Sequence, residues 1–324
     1  MRVLFRVAAG PRLGFGHLMR ARSIARALGV TPTVCIRGDR TAVATATARG
    51  FQVERGGLGI LRANRPRVLV VDDPLEAEAA RWVERARATR IPVATLHDLG
   101  LGFVESDLAI DGSIEQGDRR EPFTLAGPLY AVLDPAVAQM RTQPLGERRA
   151  VLLALGGGDH VHQWGEMLAR AIRSRRPDAT IRIAQGFSRE ARTSADPRIT
   201  WVSAPDGLAG ELAAAAVAVV GGGVTLYEAA ALATPAVGVA VVSAQQPTIR
   251  GFARRGAAVD AGIFSDPAAF AHAADAVADL LEHPVRAARL GATAAHLVDG
   301  RGVFRVADAI RQLARRAEDE SHAA

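Results

Sequence analysis

The chain has 324 residues, 49% of them apolar and only 5% aromatic, which is enough for two domains whose cores are built from small aliphatic side chains. All 40 basic residues are arginine and the formal net charge is +6, but no aromatic-interleaved basic stripe occurs, so nucleic acid is not an expected partner. The single cysteine, Cys35, excludes an intramolecular disulfide and is expected to be a buried strand residue of a cytoplasmic protein.

Strand and helix patterns alternate along the first half of the chain. The first apolar run contains Arg2 and Arg6, lacks the cleavage site of a signal peptide and predicts a strand. The predicted strands are 3–8, 33–37, 68–71, 93–96 and 108–110, and the predicted helices are 17–28, 41–49 and 76–88. Short buried strands that alternate with helices predict a parallel sheet with right-handed crossovers.

A second series begins after the polar segment 139–149, which contains Pro144 and Gly146 and predicts a domain linker. Its predicted strands are 151–155, 180–184, 199–202, 217–220 and 236–242, and its predicted helices are 163–173, 208–215 and 225–232. Glu211 and Glu228 interrupt the apolar stretch from 208 to 242, so no integral membrane segment is expected. Two series predict two Rossmann-like halves that face one cleft, and the polar residues after about Arg316 are expected to fray.

The loop between the first strand and the first helix carries the candidate catalytic residue. Open parallel sheets bind ligands at the carboxyl ends of their strands. Gly14 and Gly16 lie there and allow a ligand to approach the backbone. His17 follows at the helix N-terminus, where the helix dipole is expected to keep it neutral and able to act as a general base. The alternative is that His17 only caps the helix.

Three aspartates follow strands of the first half, on the side where His17 is expected. They are Asp72, Asp73 and Asp98. One of them is expected to polarise His17 or to hold sugar hydroxyls, and Asp72 and Asp98 are the candidates for a catalytic role. For Asp73 the alternative is capping of the next helix.

A second glycine cluster, Gly221-Gly222-Gly223, is followed by Thr225 and Glu228. An uncapped helix N-terminus can hold a diphosphate through backbone N–H groups, and the Thr225 hydroxyl adds a donor. Glu228 lies one turn further along the same helix face, where a carboxylate can accept both hydroxyls of a ribose. The alternative is that the glycines only allow tight packing and that Glu228 is solvated. The spacing is neither the G-x-G-x-x-G fingerprint nor a phosphate loop with lysine.

A third glycine loop follows the first strand of the second half. Gly157, Gly158 and Asp159 are expected to line the same cleft and to contact the ligand. His160 and His162 lie close to Asp159, but their spacing matches no common closed metal site, so no metal is expected.

These motifs together resemble PseG/SpsG-type UDP-sugar hydrolases of pseudaminic acid biosynthesis, which are similar in fold to the MurG glycosyltransferase. The resemblance covers nearly the whole chain and is carried by Gly14-Phe15-Gly16-His17 with Arg20, 125–133, the Gly156 loop, 221–228, and Asp299-Gly300-Arg301-Gly302 with Arg305. It implies an α/β chain with a GT-B fold, in which two Rossmann-like domains turn their parallel sheets toward a central cleft. The implied divisions are 1–142, the nucleotide-binding 143–302, and 303–324, whose helix crosses back onto the first domain.

The resemblance also implies an activity. UDP would be released from a UDP-linked N-acetylated deoxysugar by water attacking the anomeric carbon, with no metal or other cofactor, in a cytoplasmic monomer. His17 would activate the water, Gly222, Gly223 and Thr225 would meet the diphosphate, and Glu228 the ribose. The remaining candidates for substrate contact are Arg20, Gln245 and Gln246.

Two positions depart from the pattern of the resembled group. Asp72-Asp73-Pro74 stands where that group usually has an aromatic residue near the acidic position, and Ala244-Gln245-Gln246 where it usually has Asn-Gln. Both positions are expected near the sugar. A GT-B glycosyltransferase with a UDP-sugar donor, or a UDP-sugar-binding protein without turnover, are therefore the alternatives to hydrolysis.

Overall fold

The chain forms two compact units in a computed structural model that describes residues 1–10, 13–115, 123–142, 148–158, 160–186, 192–204 and 207–323. The first unit comprises residues 1–135 and 301–324, and the second comprises 136–300. The chain thus enters the second unit before the predicted boundary at 142 and leaves it close to the predicted boundary at 302. Part of the predicted linker, 143–147, lies outside the described residues.

The first unit is built on one parallel sheet. Its strands are β1 (Val3–Ala8), β2 (Thr33–Arg37), β3 (Gln52–Val53), β4 (Val68–Asp72), β5 (Val93–His97), β6 (Leu108–Asp111) and β7 (Leu125–Ala126), and its helices are α1 (Gly16–Leu28), α2 (Arg40–Ala48), α3 (Ile60–Asn64), α4 (Glu76–Ala88) and, at the end of the chain, α12 (Gly302–Ala323). The seven strands lie in the order β3-β2-β1-β4-β5-β6-β7. From β1 the chain adds β2 and β3 on one side and β4 to β7 on the other, so the strand order reverses between β1 and β4. Parallel sheets bind ligands at this reversal point.

Alternation of side chains along the strands gives this sheet two apolar faces. Val68 and Val70 of β4 pack into the core that also contains α1 and α12. Leu69 and Val71 of the same strand point to the other face and pack with α3 and α4. Consecutive residues at the end of β4 are therefore expected to serve opposite faces of the sheet.

The last helix, α12, packs against α1 within the first unit. Val303, Val306 and Ile310 are fully buried in the core that α1 helps to form. A Cβ on Gly302 would lie 2.2 Å from the carbonyl oxygen of Ala131, so only glycine allows this helix to begin there. Arg305 donates to the carbonyl oxygen of Leu129 at 2.8 Å. The motifs at 125–133 and 299–305 are therefore packing partners.

The second unit contains a parallel sheet of the same kind. Its strands are β8 (Ala150–Ala154), β9 (Ile181–Ala184), β10 (Ile199–Val202), β11 (Ala215–Val220), β12 (Ala236–Ala240) and β13 (Val259–Ile263), and its helices are α5 (Pro135–Arg141), which begins at the unit boundary, α6 (His160–Arg175), α7 (Ala209–Ala214), α8 (Val224–Ala231), α9 (Gln246–Arg254), α10 (Ala268–Glu282) and α11 (Pro284–Leu297). The strand order is β10-β9-β8-β11-β12-β13, so the reversal lies between β8 and β11. Both sheets are thus Rossmann-like, as predicted.

Four predicted elements have the observed bounds: the strands 3–8, 33–37 and 199–202 and the helix 76–88. Most other predicted elements differ by a few residues at their ends. Frayed residues were expected after Arg316, but α12 continues to Ala323. Cys35 is a buried strand residue as expected, and burial raises the pKa of its thiol to about 11. Within the described residues, none of the helices combines the length and apolarity needed to span a bilayer.

Candidate functional site

His17 and Asp72 meet at the reversal point of the first sheet. His17 is the second residue of α1, which follows β1, and Asp72 is the last residue of β4, the strand beside β1. The Nδ1 atom of His17 lies 2.8 Å from Oδ1 of Asp72. The Asp72 side chain is only 3% exposed, whereas that of His17 is 18% exposed and can still reach a ligand. The parallel register thus joins two residues that are 55 positions apart in the chain.

Arg20 fixes the position of this carboxylate. It lies one turn along α1 from His17, and its Nε and Nη2 donate to Oδ2 and Oδ1 of Asp72 at 2.7 and 2.5 Å. Its Nη1 and Nη2 also donate to Oδ1 and Oδ2 of Asp98 at 2.7 and 3.0 Å. Two forked contacts of this kind hold a guanidinium in one orientation. Arg20, a candidate for substrate contact, therefore joins the two candidate catalytic aspartates.

The hydrogen bonds around His17 define its tautomer. An ionised carboxylate only accepts, so Nδ1 of His17 carries the proton that is donated to Asp72. Nη2 of Arg20 also lies 3.2 Å from Nδ1, but its two protons are directed to Asp72 and Asp98. The Nε2 atom therefore carries the lone pair. It makes no hydrogen bond to any residue in the described part of the chain.

The helix dipole was expected to favour the neutral form of His17, but the pKa of its ring is shifted upward, toward the charged form. Burial lowers the pKa of His17, but the Asp72 carboxylate more than offsets this, so the pKa lies above the ordinary 6.5. For Asp72 burial raises the pKa, but Arg20 and His17 outweigh it and hold the pKa far below the ordinary 3.8. The raised pKa of His17 is therefore due to the neighbouring Asp72 carboxylate, which the prediction from the helix dipole did not include.

Asp98 lies on a turn that two buried residues hold in place. The turn after β5 requires Leu99 at a φ of 60°, which is rare for a non-glycine residue. Two side chains at the end of β6 and just after it accept hydrogen bonds from the backbone of this turn. Leu99 N donates to Oγ of Ser113 at 2.8 Å, and Gly100 N donates to Oδ2 of Asp111 at 2.7 Å. Asp111 is fully buried, and burial raises its pKa. Asp111 and Ser113 were not predicted; the only signal was a polar residue at the end of a buried strand.

Asp73 does not cap α4. It accepts a hydrogen bond from Leu75 N at 3.0 Å, outside the helix, and the first turn of α4 has no side-chain cap. Its carboxylate pairs with Arg37 and lies 3.5 Å from Nη2 of Arg6, on the sheet face opposite to Asp72. The capping alternative is therefore wrong, and Asp73 belongs to a different group of charges from Asp72.

The glycines before His17 shape the first loop. Gly14 has a φ of 80° and exchanges two backbone hydrogen bonds with Gly10. Gly16 begins α1, is exposed, and a Cβ there would meet nothing within 4 Å. The helix has no side-chain cap, so its first N–H groups face outward beside His17.

The second glycine cluster lies at the reversal point of the other sheet. Gly221, Gly222 and Gly223 connect β11 to α8, whose N-terminus has no side-chain cap. Gly223 is exposed and open, whereas Thr225 and Glu228 are partly buried on the first turns of α8. This is the geometry of an anion-binding helix N-terminus on a helix of eight residues. Gly157 and Gly158 follow β8 and are exposed at the same edge of the sheet. Asp159 lies outside the described residues.

Gln245 supports the second glycine cluster. Its side-chain oxygen accepts hydrogen bonds from Val241 N at 2.9 Å and Gly222 N at 3.3 Å. A Cβ on Gly222 would lie 2.4 Å from the carbonyl oxygen of Gln245. The side chain that was predicted to contact substrate thus holds the loop against α9. Gln246, the first residue of α9, is partly buried.

A pair of substitutions distinguishes the packed glycine of this cluster from the open one. We expect Gly222→Ala to lower the free energy of unfolding by about 1–3 kcal/mol, because the methyl group overlaps backbone that cannot move freely. Gly223→Ala should stay within about 1 kcal/mol of the unmodified chain, since its Cβ meets nothing within 4 Å. Urea unfolding of both variants measures the difference, and equal stabilities would contradict this account of the loop.

The histidines near Asp159 are engaged in packing. His160 Nε2 lies 3.0 Å from the carbonyl oxygen of Leu155, and its ring packs on Trp164. The His162 ring meets Trp201 edge-on. Among the residues that the structure describes, no group of three or more His, Cys, Asp or Glu side chains is arranged to hold a metal ion.

Comparison with known proteins gives one relative by sequence. No protein-family model matches the chain. The chain is 28% identical over 206 residues to the spore coat polysaccharide biosynthesis protein SpsG of Bacillus subtilis (strain 168). The match covers 58% of this chain and 58% of that protein, so the chain matches less than two thirds of the relative's length.

Solved structures match the chain over most of its length. MurG of Acinetobacter baumannii has a TM-score of 0.66 at 14% identity and covers 96% of this chain and 100% of its own. The spinosyn rhamnosyltransferase SpnG has a TM-score of 0.65 at 16% identity, covering 95% and 100%. The S. aureus MnaA–UDP structure has a TM-score of 0.62 at 11% identity, covering 94% and 95%. At these identities the likeness establishes the fold. The chain therefore has the GT-B fold of glycosyltransferase-like proteins and resembles the SpsG/PseG group, as its motifs indicate.

Proposed function

We propose that the chain is a nucleotide-sugar hydrolase that releases UDP from a UDP-linked N-acetylated deoxysugar. The observation that carries the proposal is the 2.8 Å contact between His17 Nδ1 and the buried Asp72 carboxylate, which leaves Nε2 as a proton acceptor. A carboxylate that holds a histidine in this orientation equips it to act as a general base, which supports the proposal. His17 is also partly exposed at the strand ends, where ligands of this fold bind.

The proposed reaction is a single displacement. The oxygen of water attacks the anomeric carbon, and the bond from that carbon to the β-phosphate oxygen breaks. The proton of the water passes to Nε2 of His17, and the bonding electrons leave with UDP. Asp72 stabilises the imidazolium that forms, and Arg20 keeps the carboxylate in place. Because attack and departure occur on opposite sides of one carbon, the configuration inverts.

The second unit supplies the proposed nucleotide site. The uncapped N-terminus of α8 offers the backbone N–H groups of Gly223 and Thr225, and the Thr225 hydroxyl, to the diphosphate. Glu228 would hold the ribose hydroxyls from the next turn. Two structures of the same fold, S. aureus MnaA with UDP and SpnG with thymidine diphosphate, support a nucleoside diphosphate as the ligand class.

A glycosyltransferase is the second candidate. It is favoured by the solved structures of transferases, such as the SpnG rhamnosyltransferase, that match over 95% of this chain. The same His17 would then deprotonate a hydroxyl of an acceptor instead of water. The proton transfer and the role of Asp72 are unchanged, so only the identity of the nucleophile separates the two activities.

The decisive experiment measures UDP release from a panel of UDP-linked N-acetylated deoxysugars without any acceptor and with EDTA present. We expect UDP and free sugar to appear in equal amounts from at least one donor. Gly223→Ala tests the nucleotide site, because the added methyl group lies where the diphosphate would approach and meets nothing else within 4 Å. It should weaken UDP binding in a direct titration.

Each other outcome has a definite meaning. If UDP binds but is released from no donor, hydrolysis is refuted and the transferase or a binding protein without turnover takes its place. If UDP binds equally well to Gly223→Ala and to the unmodified chain, the assignment of the nucleotide to α8 is wrong. Turnover that disappears with EDTA would contradict the metal-independent mechanism.

A further inference from the structure

A cavity lies in the first unit, away from the His17 site, on the sheet face that packs against α3 and α4. Its volume is about 560 Å³, within the range of small-molecule sites. Arg6 of β1, Arg37 at the end of β2 and Arg55 after β3 line it, together with Trp82 of α4. We infer that this cavity binds a small molecule that carries a phosphate or carboxylate group.

The cavity is separate from the His17 site because the sheet lies between them. Asp72 ends β4 on the α1 face, where it contacts His17. Asp73, the next residue, points to the α4 face, where it pairs with Arg37 and Arg6. The two consecutive aspartates thus belong to two different sites, as the alternation along β4 requires.

Arg6 is the main evidence that the cavity is built for a ligand. Its side chain is 6% exposed, and its Nε has no hydrogen-bond partner in the described part of the chain. Only Nη2 approaches acids, at 3.5 Å from Asp73 and 3.3 Å from Glu78. Its guanidinium also lies 5.2 Å from the centre of the Trp82 ring. A buried donor without a partner is costly, so a turn of the Arg6 side chain toward an incoming acceptor would relieve that cost.

Further donors are available at the edge of the cavity. Arg37 uses Nε and Nη2 on Asp73, which leaves its Nη1 without a partner among the described residues. Arg55 is exposed and makes no hydrogen bond or ion pair to them. Four arginines and two glutamates line the cavity, so positive charge is in excess by one even when buried Asp73 is counted.

The shape and chemistry of the cavity indicate the rest of the ligand. Guanidinium groups recognise phosphate and carboxylate through forked hydrogen bonds. Val43, Val53 and Leu58 also line the cavity and offer an apolar wall to a carbon skeleton. The volume would hold a molecule the size of a phosphorylated monosaccharide. The guanidinium groups and the apolar wall together favour an organic anion over a neutral sugar.

Calorimetric titration of the full chain tests this inference at constant ionic strength maintained with sodium chloride. The probes are inorganic phosphate, glucose 6-phosphate, glucuronate and neutral glucose. We expect saturable binding of at least one anion and none of glucose. Comparing glucose 6-phosphate with glucuronate identifies whether the arginines prefer phosphate or carboxylate.

Variants at the edge of the cavity show whether the anion binds there. Arg55→Gln and Arg37→Gln should each weaken binding of the anion by about tenfold, the usual contribution of a charge-assisted hydrogen bond. Arg62→Gln is the control: Arg62 is an exposed arginine of α3 outside the cavity lining, and its loss changes the net charge equally. Binding that does not saturate, or that is unchanged in both cavity variants, would overturn the inference. Since Arg55 has no partner to lose, poor folding cannot explain its effect.

Discussion

Replacement of His17 by alanine should lower kcat for UDP release by about 10²- to 10⁴-fold, the usual contribution of a positioned general base. Because Nδ1 of His17 donates to Asp72, the lone pair on Nε2 is available to accept the proton of the nucleophile. Affinity for UDP should be nearly unchanged, because the proposed nucleotide contacts lie on α8 in the other unit. Steady-state kinetics and a UDP titration measure the two effects separately.

The matched control for this variant is His272→Ala. His272 is an exposed residue of α10, so its removal takes away an imidazole without touching either candidate site. Thermal unfolding of both variants shows whether the fold is retained. A His17→Ala protein that is folded and turns over at the unmodified rate would exclude His17 as the base, for a hydrolase and a transferase alike.

The second large effect is expected for Asp72→Asn. The Asp72 carboxylate raises the pKa of His17 against the opposing effect of burial. A general base works only when it is neutral, so under the proposed function kcat/KM of the unmodified chain should rise with pH through a pKa above 6.5. Without the carboxylate that pKa falls, and the acid limb of the profile should move to lower pH.

The maximum rate should fall at the same time, by about 10²-fold or more. The asparagine cannot stabilise the imidazolium, and its amide can reverse the tautomer by donating to Nδ1. Profiles of kcat/KM against pH for both proteins test this. Asp98→Asn is the comparison, because Asp98 contacts Arg20 but not His17 and should move the limb less. An acid limb that stays in place in Asp72→Asn would show that another group is the base.

The sequence by itself determined most of the elements before Val242 and the three glycine-rich loops. Hydrophobic periodicity located β1, β2, α4 and β10 with the observed bounds, because it depends only on neighbouring residues and on which side of the element is buried. The two-residue strands β3 and β7 were missed, since strands this short have no period and exist only by pairing with β2 and β6. The elements after Val242, apart from the last helix, also have no counterpart among the predictions.

The tertiary structure decided which polar side chains meet. Asp72 and Asp98 were both candidate partners for His17 until the sheet order placed β4 beside β1 and brought Asp72 to the ring. The same packing lets Arg20 contact two aspartates that lie 52 and 78 positions away, and it places beside His17 a carboxylate that raises the pKa of the ring. Periodicity is a local property of the chain, whereas charge pairing depends on distances that only the folded sheet creates.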